Sequence, residues 1–359
     1  YMNYIKKLKN LFLYAGVEKE EYDRLLPNIH EGNRLLLKIF SWLAGVMFFL
    51  LFMVSLFYQG FAAANSKAYF ASGMIMLAIL ICVQWVVPKK PALVTILVYI
   101  FEIVLYAFGI RISMLHADRP AVSAVAFLLV SPLLFYDRPI RLSALITAVT
   151  AVFSVMVSYL KEPDIVAIDI WNMITFAVVA IASTLFIMSI KLRALVQAVQ
   201  IDFLSKTDLL TGLKNRNHYE SRIQGYPGKC SSNVICVYGD VNGLHELNNR
   251  EGHQAGDKML REVAARIQSA FGAEDTYRIG GDEFVAFRTD GQPGDVIREV
   301  DRMIQELGRQ GYHVSFGVSS RDKSQEDIDM NALIKEAENK MYSAKEDYYS
   351  RPENIKRSR

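Results

Sequence analysis

The sequence predicts a multi-span α-helical membrane region, followed by an α/β (α+β) palm-like domain whose central sheet is mostly antiparallel. Two observations predict the membrane region. Hydrophobic residues make up 52% of the chain, and most of the apolar runs between 35 and 190 reach the roughly 20 residues that cross a bilayer. A third observation predicts the second domain: after 205, short β-compatible runs alternate with stretches of helical periodicity. The chain has 359 residues, which is enough for two or three domains.

The net charge and the cysteine and histidine content predict neither a nucleic-acid partner nor a metal site of cysteines and histidines. The net charge of +3 is too small to predict a nucleic-acid partner by itself. The three cysteines are not spaced as a metal site, and the six histidines form no cluster. A reduced, cytosol-facing environment is the simplest explanation for Cys230 and Cys236.

Residues 1–34 form a polar N-terminal segment, in which Ile5, Leu8, Leu11 and Phe12 recur at helical spacing beside several lysines. Two interpretations stay open. The segment is either a helix that lies on the membrane surface or a short soluble helix that precedes the membrane region.

Residues 35–190 form the predicted membrane domain of six spans. The spans are 35–57, 68–87, 92–114, 121–136, 141–160 and 169–190, of which the fourth is the shortest. Basic residues between the second and third spans (Lys89, Lys90), between the fourth and fifth (Arg138, Arg141) and after the sixth (Lys191) predict the cytoplasmic side. We therefore expect a multi-pass protein of the inner membrane, with the N-terminus and everything after 191 in the cytoplasm.

Glu102 falls near the middle of the third span. A carboxylate inside a membrane is costly, so it marks either a function or a buried, hydrogen-bonded packing site. The sequence leaves both alternatives open.

Residues 191–206 continue from the last span without Gly or Pro. Leu192, Val196, Val199 and Phe203 are spaced four, three and four apart, which is the seam of a short coiled coil. We expect a signalling helix here; the alternative is a plain amphipathic linker.

The second domain is predicted at 207–349, followed by a basic tail at 350–359. The predicted elements are a helix at 217–224, a strand at 233–238, a helix at 254–271, a hairpin at 275–288, a helix at 294–308, a strand at 312–319 and a helix at 330–347. This order predicts a sheet that is covered by helices on one face.

The hairpin carries the sequence Gly280-Gly281-Asp282-Glu283 at its turn. Glycines let the backbone turn tightly, and two carboxylates at a turn are not needed for packing. Oxygen ligands beside glycines suit Mg²⁺ that carries phosphates. Taken alone, the same four residues also fit an ordinary solvated turn.

Other polar residues collect around this hairpin in the predicted sheet. Asp240 ends a strand that we expect beside the hairpin, so that Asp240, Asp282 and the carbonyl of Val241 would hold two Mg²⁺ ions. The turn at 241–245 offers main-chain amides to phosphate, and Lys345 offers a positive charge. Asn248 and Asp257 have the polar groups that read the edge of a guanine base.

These residues belong to an ordered set of motifs, and the chain from about 205 to 348 resembles the GGDEF domain of diguanylate cyclases. The motifs are Asp208-Leu-Leu-Thr-Gly-Leu-Lys-Asn-Arg216, Asp240-Val-Asn-Gly-Leu244, Asn248, Gly252-His-Gln-Ala-Gly-Asp257, Arg278-Ile-Gly-Gly-Asp-Glu-Phe284, Ser315-Phe-Gly-Val318 and Met341-Tyr-Ser-Ala-Lys345. One such motif is weak, whereas the ordered set is specific. It covers about two-fifths of the chain and leaves out the membrane region.

The resemblance implies an enzyme that condenses two GTP molecules into cyclic di-GMP and two pyrophosphates, as a two-fold homodimer. From the apolar spans and the small net charge, we also expect a lipid bilayer as a partner and no nucleic acid. The resemblance also implies two Mg²⁺ (or Mn²⁺) ions per GTP, held by Asp240, Val241 and Asp282, with Glu283 as a metal-site or proton-accepting carboxylate. It implies that the substrate is bound by Asn248, Asp257, Gly243, Leu244, His245, Lys345, Arg278, Gly280 and Gly281.

The chain also departs from the family pattern. Leu244-His245 replaces a common Phe-Lys, Asn249 replaces a common Asp, and Tyr349 replaces an Arg that often contacts phosphate. These departures bear on catalytic rate more than on nucleotide binding. A second hypothesis is therefore a receptor that binds GTP without turnover, although the intact carboxylates favour the enzyme.

The family also has an inhibitory Arg-x-x-Asp site. It would fall at 271–274, where this chain has Phe271-Gly-Ala-Glu274. We therefore expect no inhibitory site.

Overall fold

The computed structural model describes residues 2–57, 65–324, 327–351 and 354. It divides into two compact units, Tyr1–Ala198 and Val199–Arg359. The boundary between them falls inside one long helix.

The first unit is built from helices. They are α1 (Met2–Tyr14), α2 (Lys19–Phe57), α3 (Ser66–Trp85), α4 (Leu93–Ser113), α5 (Val122–Val130) with a 3-10 turn at Ser131–Leu133, α6 (Pro139–Leu160) and α7 (Pro163–Lys206). A proline begins both α6 and α7, where its missing N–H costs no helical hydrogen bond. Helix α7 runs without a break through the predicted signalling segment 191–206, whose coiled-coil seam stays a prediction.

Five helical stretches among the described residues are long and apolar enough to cross a membrane. They are Lys6–Phe57, Ser66–Trp85, Leu93–Ser113, Pro139–Leu160 and Pro163–Lys206. They overlap five of the six predicted spans, and two of these spans, 68–87 and 92–114, were predicted one or two residues too long. The predicted count of six is not confirmed, because the fourth span contains only the short apolar helix Val122–Leu133.

The fourth segment nevertheless extends between two distant points of the first unit. At one end, the N–H of Ala121 donates to the Asp169 carboxylate at 2.8 Å; at the other, Tyr136 and Asn33 exchange two hydrogen bonds. Ile29, one turn from Asn33, packs in one cluster with Met188, which lies about 28 Å along α7 from Asp169 at 1.5 Å per residue. The segment from Ala121 to Tyr136, which contains α5 and the 3-10 turn, therefore connects regions that lie far apart along α7.

Glu102 is fully buried on α4, and the hydroxyl of Ser131 donates a hydrogen bond to it. An intramembrane carboxylate needs such a partner. This contact fits the packing interpretation and leaves a function open.

The second unit contains four strands and six helices among its described residues. They are α8 (Arg216–Arg222), α9 (Tyr226–Lys229), β1 (Asn233–Asn242), α10 (Leu244–Glu251), α11 (His253–Phe271), β2 (Thr276–Arg278), β3 (Glu283–Thr289), α12 (Pro293–Arg309), β4 (His313–Asp322) and α13 (Met330–Ser350). Helix α10 was not predicted, because its eight residues directly follow a strand and hold few apolar side chains. Of the predicted basic tail, only 350, 351 and 354 lie within the described residues.

The four strands form one antiparallel sheet in the order β2-β3-β1-β4. The predicted position of the hairpin beside the first strand is confirmed, since β3 pairs with β1. The register brings Glu283 of β3 and Ser315 of β4 opposite Asp240 of β1. The end of β1 therefore lies next to the turn between β2 and β3.

Helices cover both faces of this sheet, so the prediction of one covered face was wrong. Helices α11 and α12 pack on one face, against Ile235 and Val237 of β1, and α13 packs on the other, against Cys236 and Tyr238. Strand β1 is apolar at successive positions rather than at alternate ones. Such a run indicates a strand buried on both sides.

Helix α13 approaches the sheet closely at Gly317. A Cβ on Gly317 would lie 2.0 Å from the carbonyl oxygen of Ala337 and 2.4 Å from the nitrogen of Met341. Only glycine leaves room for the helix backbone at this point. The close contact fixes the part of α13 that carries Lys345.

Candidate functional site

The turn between β2 and β3 is fastened at three points. The N–H of Ile279 donates to the carbonyl of Glu283 at 3.0 Å, and the guanidinium of Arg278 donates to the carbonyl of Gly281 at 2.6 Å. The N–H of Val241 donates to the carbonyl of Asp282 at 3.0 Å. The last bond ties the turn to the end of β1, so the predicted ligands Asp240, Val241 and Asp282 are neighbours.

Asp240 is a buried carboxylate with one cation beside it. Nζ of Lys345 lies 2.6 Å from Oδ1 of Asp240, and the Asp240 side chain is only 8% exposed. Helix α13 thus brings Lys345, the predicted triphosphate contact, against Asp240, a predicted metal ligand.

Negative charge exceeds positive charge at this point. Burial raises the pKa of the Asp240 carboxyl; the ion pair with Lys345 opposes that effect, and the charges of Asp282 and Glu283 add to it. Burial alone would lower the pKa of Lys345, but the carboxylates around it raise that pKa instead. Three carboxylates therefore share one nearby lysine, which leaves charge that a bound cation would balance.

Among the described residues, no three His, Cys, Asp or Glu side chains form a metal centre by themselves. The predicted set contains two carboxylates and one main-chain carbonyl. Oxygen donors of this kind, with an excess of negative charge, suit Mg²⁺ or Mn²⁺ better than a softer metal. The residues present fit the implied ions.

Glu283 is held from two sides. The hydroxyl of Tyr238 donates to its Oε1 at 3.0 Å, and a Cβ on Gly280 would lie 2.3 Å from its Oε2. Tyr238 was not predicted as part of the site. The available signal was its position two residues before Asp240 on a strand, which places both side chains on one face.

The turn after β1 is shorter than the predicted turn at 241–245, because a helix begins within it. Gly243 adopts a left-handed conformation, with φ of 72°, and caps α10, which begins at Leu244. The N–H of Gly243 donates to the hydroxyl of Tyr349 at 3.1 Å, and His245 is exposed. One of the amides that we predicted for phosphate is therefore bonded to the tyrosine that replaces the family's arginine.

The structure brings the two predicted guanine-binding residues together. Asn248 on α10 packs against Gly256, the residue before Asp257 on α11, and a Cβ on Gly256 would lie 2.1 Å from Oδ1 of Asn248. That oxygen is buried without a hydrogen-bond partner among the described residues. Asp257 is half-buried, and its carboxylate Oδ2 lies 3.8 Å from a guanidinium nitrogen of Arg261.

Arg278, a predicted substrate contact, is bonded within the protein. Besides Gly281, its guanidinium donates to both carboxylate oxygens of Asp208, at 3.1 and 3.3 Å. The Asp208 carboxylate also accepts bonds from the main chain and the hydroxyl of Thr211. Arg278 therefore anchors the turn, and its pairing with Asp208 was not predicted.

The residues at the position of the family's inhibitory site have other contacts. Phe271 is buried under the guanidinium of Arg288, 4.9 Å from its ring centroid. Glu274 forms an ion pair with Lys214 at 2.9 Å. The lack of an inhibitory site stays a prediction.

Residues 205–351 match the model of the family described as "Diguanylate cyclase, GGDEF domain". Two curated relatives are an uncharacterized signaling protein of Caulobacter vibrioides and the diguanylate cyclase DgcS of Shewanella oneidensis. The first is 36% identical over 116 residues, which is 30% of this chain and 14% of the relative. The second is 28% identical over 164 residues, which is 43% of this chain and 55% of the relative.

Among solved structures, the chain is similar to the coiled coil and GGDEF domain of DgcB from Caulobacter crescentus, solved with c-di-GMP. The identity is 20%, the match covers 43% of this chain and 88% of that chain, and the TM-score is 0.39.

Proposed function

Since residues 205–351 of this chain form a GGDEF domain, we propose that the protein is a membrane-bound diguanylate cyclase. It condenses two GTP molecules into cyclic di-GMP and releases two pyrophosphates. The observation that carries the proposal is the group of Asp240, Asp282 and Glu283 beside Lys345, where two strands and a fastened turn meet.

Asp240, Asp282 and the carbonyl of Val241 would hold the Mg²⁺ or Mn²⁺ ions, two for each GTP. When bound, these ions would neutralise the charge that builds up on the phosphates during the reaction. The buried position of Asp240 strengthens its interaction with any cation, because a partly buried charge is poorly screened by water.

The remaining predicted residues would bind the nucleotide. Asp257 accepts hydrogen bonds from the N–H groups of guanine, and the Asn248 amide completes the reading of the base edge. Lys345 binds the triphosphate. Because Lys345 is also paired with Asp240, its charge would be shared between that carboxylate and the phosphate oxygens. The turn that contains Gly243, Leu244 and His245 lies on the phosphate side of the site.

Catalysis needs two copies of the domain, related by two-fold symmetry, with one GTP in each. The 3′-oxygen of each GTP attacks the α-phosphate of the other, a phosphodiester bond forms, and the bond between the α- and β-phosphates breaks to release pyrophosphate. Glu283 accepts the proton of the attacking hydroxyl. The binding energy of each domain is used to align the two nucleotides for this attack.

The proposal places the catalytic domain at the cytoplasmic face of the inner membrane. It includes six crossings, with the fourth made by α5 and its extended ends. The membrane unit would fix the location of the enzyme and pass on a signal through α7.

The replacement of Asp282 by Ala tests this function. The full-length protein and the variant are placed in lipid nanodiscs with GTP and Mg²⁺, and cyclic di-GMP is measured by mass spectrometry. Turnover should fall by about 100- to 1,000-fold or more, because preorganised charge is usually the largest catalytic contribution. Folding by circular dichroism should persist, and GTP affinity should fall only moderately, because Asp282 lies in a turn outside the core.

An Asp301→Ala variant is the matched control, because Asp301 is an exposed acidic residue on α12. It should keep the activity of the parent. If the parent binds GTP with Mg²⁺ as a dimer but forms no phosphodiester, the protein is a GTP receptor. The reversions His245→Lys and Tyr349→Arg would then show whether the two missing cations are the cause.

A further inference from the structure

We propose that Tyr238 is a positioning residue of the active site, whose hydroxyl holds the Glu283 carboxylate in the orientation that the reaction requires. This inference rests on the proposed function. The hydrogen bond from Tyr238 Oη to Glu283 Oε1 is 3.0 Å long and joins two neighbouring strands.

Register explains why these two side chains meet. Asp240 lies opposite Glu283, and Tyr238 lies opposite Val285, so all four share the face of the sheet that α13 covers. Tyr238 and Glu283 are diagonal neighbours across the two strands. A diagonal pair is within the reach of an aromatic side chain.

The ring of Tyr238 has little freedom to move. It is 6% exposed and packs in one core cluster with Val285 and Met341. Gly317 lies opposite Tyr238 on β4 and allows the backbone of α13 to close over this face. A hydroxyl on a fixed ring sets the place of its acceptor, because a donor in a packed core cannot follow a mobile partner.

Gly280 limits the position of the Glu283 side chain from the side opposite Tyr238. A Cβ there would lie 2.3 Å from Oε2 and 3.2 Å from the Cβ of Glu283, so the carboxylate fills the space that glycine leaves. One oxygen of Glu283 is thus bonded to Tyr238 and the other is packed against the turn. The first glycine of the motif has a steric role here.

Glu283 borders the same cavity as Asp240 and Lys345, a space of about 360 Å³ beneath α13 whose lining does not include Tyr238. Tyr238 is thus absent from the lining, and its hydroxyl is connected to the site through the bond to Glu283. A residue in this place acts on the geometry of Glu283 and does not touch the substrate.

The test compares Tyr238→Phe with Tyr277→Phe in the full-length protein in nanodiscs. Both changes remove one buried hydroxyl from the same core cluster, but the Tyr277 hydroxyl bonds to Tyr226, away from the carboxylates. Tyr238→Phe should lower kcat about 10- to 100-fold, the size of effect that a misplaced reacting group produces. KM and the affinity for GTP should stay within about twofold of the parent, and Tyr277→Phe should keep kcat.

A double-mutant cycle with Glu283→Gln shows whether Tyr238 acts through Glu283. In the Glu283→Gln background, Tyr238→Phe should cause no further loss of kcat. Tyr238→Met, which also lacks the hydroxyl, should likewise cause no further loss there, and it serves as the second variant if Tyr238→Phe fails to fold.

Equal kcat values for Tyr238→Phe and Tyr277→Phe would overturn the inference, as would losses that add to those of Glu283→Gln. Parallel changes in kcat and GTP affinity would indicate a merely structural role and would also overturn it. A parent that makes no cyclic di-GMP would overturn both this inference and the proposed function, whereas an active parent confines any failure to Tyr238.

Discussion

Single side chains in the C-terminal domain have different partners from those that their motif positions suggest. Arg278 and Lys345 are predicted substrate contacts, and Tyr349 replaces an arginine that often contacts phosphate; each is bonded within the protein, to Asp208, to Asp240 and to Gly243 respectively. Under the proposed function, Lys345 would exchange or share its partner when a nucleotide binds. The bonds of Arg278 maintain the turn, and its contact with the substrate stays a prediction.

We expect base selectivity to depend on Asp257. The parent should use GTP and turn over ATP poorly, because adenine has no N–H at positions 1 and 2, where guanine offers donors to the Asp257 carboxylate. A polar group left unpaired costs about 1–3 kcal/mol, which corresponds to a preference of about 5- to 150-fold. Asp257→Ser should reduce this preference in initial-rate measurements with the two nucleotides.

Equal rates of the parent with GTP and ATP would contradict the assignment of Asp257. A Glu251→Ser variant, which changes an exposed acidic residue at the end of the neighbouring α10, should leave the preference unchanged.

The stability of the C-terminal domain should depend on pH through the carboxyl group of Asp208. Burial alone would raise the pKa of its carboxyl, but the bonds from Thr211 and Arg278 outweigh burial and lower it. A lowered pKa in the folded state stabilises the fold above the unfolded value of about 3.9. That stability is lost as pH falls through the folded value.

Calorimetry of the parent and Asp208→Asn should therefore show a difference in the Tm of the C-terminal domain at pH 7. This difference should shrink below about pH 4 as Asp208 becomes protonated. Asp301→Asn should show neither effect. A difference that stays constant down to pH 3 would mean that the Asp208 charge does not stabilise the turn.

At the scale of whole elements, glycines decide how closely the helix and the strands of the site can pack. Gly317 admits α13 to the sheet, and Gly239 of β1 accommodates the ring of Phe316, which would lie 2.4 Å from a Cβ there. The two glycines serve opposite faces of the same sheet. Together they determine where α13 places Lys345 relative to Asp240.

Gly317→Ala should therefore destabilise the domain by about 1–3 kcal/mol, as overpacking in a core does. It should also weaken GTP binding, because α13 must shift and carry Lys345 away. The stability is measured from amide hydrogen exchange of β4 in the full-length protein.

Gly308→Ala is the matched control. Gly308 lies in α12, and a Cβ there meets nothing within 4 Å. This change should raise stability by about 0.5–1 kcal/mol, because alanine is the better helix former. If Gly317→Ala were equally harmless, the close contact of α13 with β4 would not exist in solution.

At the scale of the whole molecule, the proposed topology depends on the number of membrane crossings, which would decide the side of the membrane that the C-terminal domain occupies. An even number puts both ends of the chain on one side. The fourth segment is decisive, because α5 alone is about 14 Å long at 1.5 Å per residue, about half of the hydrocarbon thickness. Its hydrogen bonds at Ala121 and Tyr136 are the reason to include it as a crossing.

Labelling of single cysteines tests this topology in intact cells. An impermeant maleimide should label Asp118→Cys, and it should leave Lys90→Cys and Arg141→Cys unlabelled until the cells are opened. Labelling of both Asp118→Cys and Arg141→Cys from outside would show that the fourth segment does not cross. The C-terminal domain would then require a different orientation.

The sequence by itself determined most elements of the C-terminal domain and its resemblance to the GGDEF family, although it did not predict α10. Periodicity and motif order are local properties, so the strand that carries Asp240, the hairpin around Asp282 and the long apolar helices were predicted from the residues present. The pairing of the hairpin with the first strand also followed, since neighbouring elements usually pack together.

Only the tertiary structure decided the partners across the sheet. Three contacts join residues that are 45 to 106 positions apart: the bond from Tyr238 to Glu283, the ion pair of Arg278 with Asp208 and the bond from Gly243 to Tyr349. The covering of both faces, by contrast, was predictable from the continuous apolar run of β1. The three contacts depend on strand register and on how closely α13 approaches at Gly317. No local pattern in the sequence contains that information, because a shift of one residue in register would turn each side chain to the other face.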